Sequence, residues 1–264
     1  MRNLLRRSFS GIIYVLIFIA AILFSKESYI TLISLFGVLC IWEFSKMIQY
    51  KNVVPYLFFG LTLFLMIKRP FSYAITGILG ITILSSIILI YQLFSKKEIT
   101  FSNERSKLGF TIRYPIFSIC FLVLLPFCTT GYSPYLMISI LVLIWVNDSF
   151  AFLVGKNLGR RKLFVSVSPK KTQEGFLGGL IFSLIAAYVI SKINTDFTLL
   201  NWLIIAAIIS IIGTIGDLVE SKLKRQANIK DSGNIMPGHG GILDRLDSLL
   251  FAAPFVYLYI NFII

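Results

Sequence analysis

The sequence is short of charge, of acidic residues in particular, and of most residue types that build soluble metal or thiol sites. Charged residues fill 14% of its 264 positions and hydrophobic ones 57%, whereas a soluble domain holds roughly 25% and 45–50%. That departure excludes a water-soluble globule, and the same numbers exclude a disordered chain. One histidine, His239, rules out HExxH and every multi-histidine centre. The three cysteines, Cys40, Cys120 and Cys128, lie in apolar stretches without CxxC or Cys/His spacing. A disulfide framework is thereby excluded, and no zinc pattern remains. There is no P-loop, internal repeat, low-complexity tract or separate soluble domain. Residues 1–264 read as one membrane domain.

What is present is apolar run after apolar run. Charge-free stretches cover 8–25, 28–42, 52–67, 70–95, 114–147, 175–191, 197–216 and 248–264, against the roughly 17–25 residues that a spanning helix needs. Pro126, Gly131 and Pro134 divide the 114–147 stretch in two, so the expected fold is all-α and polytopic, with about nine transmembrane helices. Arg2, Arg6 and Arg7 precede the first run as in a signal peptide. No small-x-small cleavage site follows, because Ala20-Ala21-Ile22 breaks the pattern, and a retained helix is expected.

Lys plus Arg number 25 against 12 Asp plus Glu, a formal charge of +13. In a polytopic chain this excess marks cytoplasmic loops rather than nucleic acid. With the N-terminus inside, 21 of the 25 basic residues fall in cytoplasmic segments. The expected orientation is N-terminus in and C-terminus out, in a membrane of the bacterial inner type.

The few acids are unevenly placed. Asp148, in Trp145-Val-Asn-Asp-Ser-Phe, has apolar neighbours on both sides, and the sixth helix is expected to continue past it toward Val154. An intramembrane carboxylate is a functional hypothesis by default, set against a structural pairing with a nearby lysine or amide. Asp217 ends the expected eighth helix, with Glu220 and Ser221 on the same face at i+3 and i+4. Asp244 and Asp247 open the ninth. Ordinary interfacial solvation accounts for Asp244, since acids suit a helix N-terminus, but less well for Asp247, a turn deeper. Helices six and eight run outward to inward and nine runs back, which brings all four aspartates toward one leaflet. Such hard oxygen donors suit Mg²⁺, which keeps waters and binds substrate phosphates.

Two loops supply the counter-charge. Residues 155–175 contain Arg160, Arg161 and Lys162, ordinary anchors for anionic lipid, and then Ser168-Pro169-Lys170-Lys171-Thr172, next to Glu174 and Gly175. That second cluster, read as a turn carrying two ammonium groups and hydroxyls, suits several phosphates. Residues 221–247 bring Ser221, Lys222, Lys224, Arg225, Lys230, Asp231 and His239 together with Gly238, Gly240, Gly241 and Arg245. Glycines that allow close backbone approach lead into a helix N-terminus that favours an anion. The chemistry alone gives a cytoplasmic-face site for a polyphosphate with a divalent metal.

These residues resemble the phosphatidate cytidylyltransferase (CDP-diacylglycerol synthase) family. Its pattern, S-x-apolar-K-R, four residues, K-D, then P-x-H-G-G-apolar-x-D-R-apolar-D, is matched across residues 221–247, with Met236 in place of a usual Ile, Leu or Phe. Asp148-x-x-Ala151 with Gly155, and Ser168-Pro-Lys-Lys-Thr-x-Glu-Gly175, also match; Phe152 and Gln173 replace a frequent Tyr and Trp. Residues 135–264 carry the resemblance, and residues 1–134 match only as membrane helices with Arg7, Ser10-Gly11 and Trp42-Glu43.

The resemblance implies formation of CDP-diacylglycerol and pyrophosphate from CTP and phosphatidic acid. It implies Asp217 and Asp244 as ligands to Mg²⁺ (or Mn²⁺), K⁺ as a second cation, and a homodimer among membrane lipids. Asp148, Lys170, Lys171, Glu174, Lys224, Arg225, Lys230, Asp231, His239, Arg245 and Asp247 become catalytic candidates. Ser168, Thr172, Ser221, Gly238, Gly240 and Gly241 become binding candidates. The competing expectations are a CTP transferase acting on another lipid phosphate and, from another class, an ion-coupled transporter. The transporter is disfavoured because no inverted repeat is visible and the acids gather at one leaflet rather than the midplane.

Overall fold

A computed structural model describes residues 2–68, 73–95, 98–236, 238 and 240–264, with side chains described from Phe9 onward. Arg69, Lys96, Lys97 and His239, all used in the charge count or the site, lie outside the described residues. Of the described residues, 78% are helical. The helices are α1 (Arg2–Phe24), α2 (Lys26–Met47), α3 (Val54–Lys68), α4 (Tyr73–Phe94), α5 (Glu104–Phe127), α6 (Pro134–Leu158), α7 (Gln173–Ile193), α8 (Leu199–Gln226) and α9 (Leu243–Phe262).

Among the described residues, six helices (α2, α4, α5, α6, α7 and α8) are long and apolar enough to cross a membrane. The segments Phe9–Phe24 and Val54–Lys68 are shorter apolar helices, and α9 carries Asp244, Arg245 and Asp247 in its first turns. The polytopic all-α architecture therefore holds, with six helices of spanning length among the described residues against the nine expected.

The apolar surface is arranged for lipid. Leu16, Phe24, Leu57, Phe64, Leu84, Ile181 and Tyr188 are all more than half exposed, a display that would be an aggregation hazard in water. The interior gathers around α5 and α9. Tyr29 on α2 donates its phenol proton to the Leu122 carbonyl, 2.6 Å away, and Phe121 meets Tyr257 with ring centroids 5.0 Å apart.

Three boundaries differ from the sequence reading. Helix α5 starts at Glu104, ahead of its apolar stretch, capped by Asn103, which accepts from the Ser106 N–H at 2.8 Å. It absorbs Pro115 in a π turn at Ile112–Ile116, the local widening that lets a proline sit within a helix. Helix α8 does not end at Asp217 but runs on to Gln226, because charge ends an apolar run without ending a helix. The Ser168-Pro-Lys-Lys-Thr segment is not a turn. It is strand β2 (Ser168–Thr172), antiparallel to β1 (Lys162–Phe164), and the hairpin between them is a small exception to an otherwise helical fold.

Candidate active site

Helices α6, α7, α8 and α9 and the hairpin enclose a cavity of about 600 Å³. Asp148 reaches it because α6 does continue past that residue, and Asp148, Ala151 and Gly155 share the face that lines it. The small residues on this face allow close packing. A Cβ on Gly155 would stand 2.9 Å from Thr172 Oγ1, and one on Gly175 would stand 2.6 Å from the Ala151 carbonyl oxygen. Helix α7 thus lies directly on α6 and delivers β2 to the rim. Thr172 caps α7, its hydroxyl accepting from the Gly175 N–H at 3.1 Å.

Five carboxylates (Asp148, Asp217, Asp231, Asp244, Asp247) and five cations (Lys156, Lys170, Lys171, Lys224, Arg245) line this cavity. Lys171 is ion-paired with Asp217, both side chains about 30% exposed, and Asp217 also accepts from Ser221 Oγ at 3.2 Å. Lys224 lies 2.6 Å from Asp244 Oδ1 and 3.4 Å from Glu220, with exposures of 10%, 8% and 0%. Asp244 Oδ2 accepts from the Gly241 N–H (2.8 Å), the Ser232 N–H (2.9 Å) and the Ser232 hydroxyl (3.0 Å). An ionised carboxylate offers about four lone-pair sites. Asp217 keeps some free, and on Asp244 the partners crowd Oδ2 while Oδ1 accepts from Lys224.

A second cavity of about 300 Å³ adjoins the first. Asp148, Asp244, Arg245, Asp247 and Ser248 line both, and the second continues between α1, α6 and α9 along Gly11, Tyr14, Val15, Leu141, Ile144, Trp145 and Leu249. Four lysines line the first chamber and none the second, whose own residues are mostly apolar side chains, and Asp148, Asp244 and Asp247 stand where the two meet.

Over residues 5–263 the sequence matches the Cytidylyltransferase family. The chain belongs to that family. It is 34% identical to the phosphatidate cytidylyltransferase of Bacillus subtilis (strain 168) over 266 residues, 97% of each chain. It is 35% identical to that of Staphylococcus haemolyticus over 254 residues, 94% of this chain and 95% of the relative. It is 43% identical to that of Staphylococcus saprophyticus over 173 residues, 65% and 64% of the two chains.

Within this cytidylyltransferase-family site, several expected residues stand apart from the cavity wall. Glu174 accepts from the N–H groups of Arg160 and Arg161 at 3.0–3.1 Å, which secures the turn between α6 and the hairpin. Arg225 is exposed and reaches toward the Ile229 carbonyl. Lys230 is exposed, and Ser168 starts β2 away from the cavity lining. Lys222 is buried and donates to the Gln92 carbonyl at 2.7 Å, tying α8 to α4. Gly238 and Gly240 adopt φ of +76° and +87°, the left-handed region that glycine enters without penalty.

Two buried acids that the sequence reading named without giving them a role in the site also stand here. Glu220 is fully buried beside Lys224. Glu43, fully buried on α2, accepts from the Ile242 N–H at 3.1 Å, the Leu243 N–H at 2.8 Å and Ser232 Oγ at 3.0 Å. The signal for Glu43 was a lone carboxylate late in an apolar helix. Only the fold shows that it meets residues 200 positions away.

Proposed function

We propose that the chain transfers the cytidylyl group of CTP to the phosphate of phosphatidate, forming CDP-diacylglycerol and pyrophosphate at the cytoplasmic face of the membrane. The observation that carries this reading is the junction, at a shared set of aspartates, of a lysine-lined cavity with one that holds no lysine and runs on between Val15, Leu141, Ile144, Trp145 and Leu249. A triphosphate suits the first chamber and a lipid phosphate the second. The near full-length similarity to two phosphatidate cytidylyltransferases supports the same pair of substrates.

The attacking lipid phosphate is already anionic, so catalysis needs positioning and charge neutralisation more than a general base. Lys170 and Lys171, side by side on β2, meet the triphosphate as point charges. Arg245 lines both chambers and Lys224 the first, where it holds Asp244. The donor chemistry at Asp217 and Asp244 fits a hard divalent ion such as Mg²⁺ or Mn²⁺. Both offer oxygen only, and the other aspartates of the junction stand beside them. Among the described residues no three ligating side chains form a ready cage. Mg²⁺ does not need one, because it is commonly held by one or two carboxylates together with waters and substrate phosphates. When bound, the ion supplies positive charge to the transferring phosphate and the leaving pyrophosphate. Asp244 would hold it through Oδ1, the oxygen that the loop leaves to Lys224. K⁺ as a second cation and a homodimer rest on the family resemblance alone.

The test is purified protein with CTP, Mg²⁺ and a panel of lipid phosphates that includes phosphatidate and an ether-lipid phosphate. Turnover with phosphatidate supports the proposal. Turnover with another lipid phosphate alone would replace the acceptor, and turnover with none would refute it.

A further inference from the structure

The N-terminus of α9 lacks a cap of its own. Its N-cap residue, Ile242, makes no side-chain capping hydrogen bond, yet the first N–H groups of a helix need partners when buried. Glu43 supplies them from α2 through the N–H groups of Ile242 and Leu243, and the negative charge complements the helix dipole. The same carboxylate leaves no room for side chains opposite it. A Cβ on Gly233 would stand 2.8 Å from its carboxyl carbon, and one on Gly241 would overlap its oxygens. Gly241 is thus explained by Glu43 rather than by a ligand.

Ser232 extends the contact. Its Oγ lies 3.0 Å from both Glu43 Oε2 and Asp244 Oδ2. A hydroxyl has one proton, so it donates to one carboxylate at a time while the Ser232 N–H stays on Asp244 at 2.9 Å. We infer that Glu43 is a positioning residue for cytidylyl transfer. It caps α9 from α2 and, through Ser232, fixes the Asp244 carboxylate at the junction of the two cavities. The inference rests on the transferase reading above and on Asp244 as a metal ligand.

The test compares purified Glu43→Gln, Glu43→Asp and Ser232→Ala with wild type in kcat, KM for CTP, half-saturating Mg²⁺ and melting temperature. Removing the partners that orient a metal ligand commonly costs 10–100-fold in metal affinity or activity. Glu43→Gln is expected to lower kcat by roughly that factor and raise half-saturating Mg²⁺, with Glu43→Asp recovering part of the loss. Ser232→Ala, which leaves both caps on α9, is expected to raise half-saturating Mg²⁺ with a smaller fall in kcat. A folded Glu43→Gln protein with wild-type kcat and Mg²⁺ dependence overturns the inference, as does a loss confined to melting temperature. If Glu43→Gln does not fold, Ser232→Ala decides, and wild-type constants there overturn it. Wild-type turnover without any divalent ion removes the metal reading, and the kcat comparison then still judges Glu43.

Discussion

The two lysines paired with the expected metal aspartates sit in different surroundings, and replacing each should therefore do a different thing. Lys224 is about one-tenth exposed, 2.6 Å from Asp244 and 3.4 Å from the fully buried Glu220. Lys224→Met removes the ammonium that bridges two buried carboxylates and keeps most of the volume. Breaking one partner out of a buried pair costs about 3–5 kcal/mol, because the remaining charge is left uncompensated. Chains of this size shift by roughly 2–4 °C per kcal/mol, so melting should fall on the order of 10 °C. Lys171 and Asp217 are each about 30% exposed. Solvent screening brings the stability cost of Lys171→Met down to about 1 kcal/mol or less, and the main loss should be in turnover. The buried thiols of Cys40 and Cys120 provide the assay, since a thiol-reactive fluorophore reports their exposure during heating in neutral detergent. Equal melting shifts for the two variants would refute the reasoning. So would Lys171→Met with wild-type kcat and KM for CTP, the pattern expected if the lysine only met lipid headgroups.

Three further outcomes follow from the geometry. Asp217→Asn and Asp244→Asn should each abolish turnover in a folded protein, and near-normal activity of either purified variant would remove the metal assignment. Gly240→Ala, at φ +87° with the new Cβ 2.7 Å from Asp244 Oδ2, should cut kcat at least tenfold, the order of penalty for displacing a positioned group; an unchanged kcat would show that the loop relaxes freely. A cysteine at the exposed Asn234 should resist an impermeant maleimide in intact cells and react after permeabilisation, whereas labelling in intact cells would invert the orientation. Ser232 is the poorer probe position, since it is buried between Glu43 and Asp244.

Much of the site was legible because apolar runs have few places for acids. Asp148, Asp217, Asp244 and Asp247 could be assigned to one leaflet from helix order alone, and the structure does bring them to one cavity. The illegible parts were long-range or local-backbone effects. Glu43 pairs with a loop 200 residues away, which periodicity cannot report. Glu174 lies within a basic, hydroxyl-rich segment that suits phosphates, yet its carboxylate binds two backbone N–H groups. Lys170 and Lys171 follow a proline, which reads as a turn, but Pro169 fits a short strand in which its missing N–H costs no pairing beyond the hairpin. Helix α8 outlasted its apolar stretch because Lys222 and Lys224 find partners inside the protein.

The most direct measurement follows the two ends of CTP separately. Purified protein in mixed micelles with phosphatidate and Mg²⁺ receives CTP labelled either at the α-phosphate or at the γ-phosphate, and the products are split between organic and aqueous phases. Cytidylyl transfer predicts α-label in the lipid fraction and γ-label in aqueous pyrophosphate, in equal amounts, with both lost in Asp217→Asn. Appearance of γ-label in the lipid, or of neither label there, would contradict it.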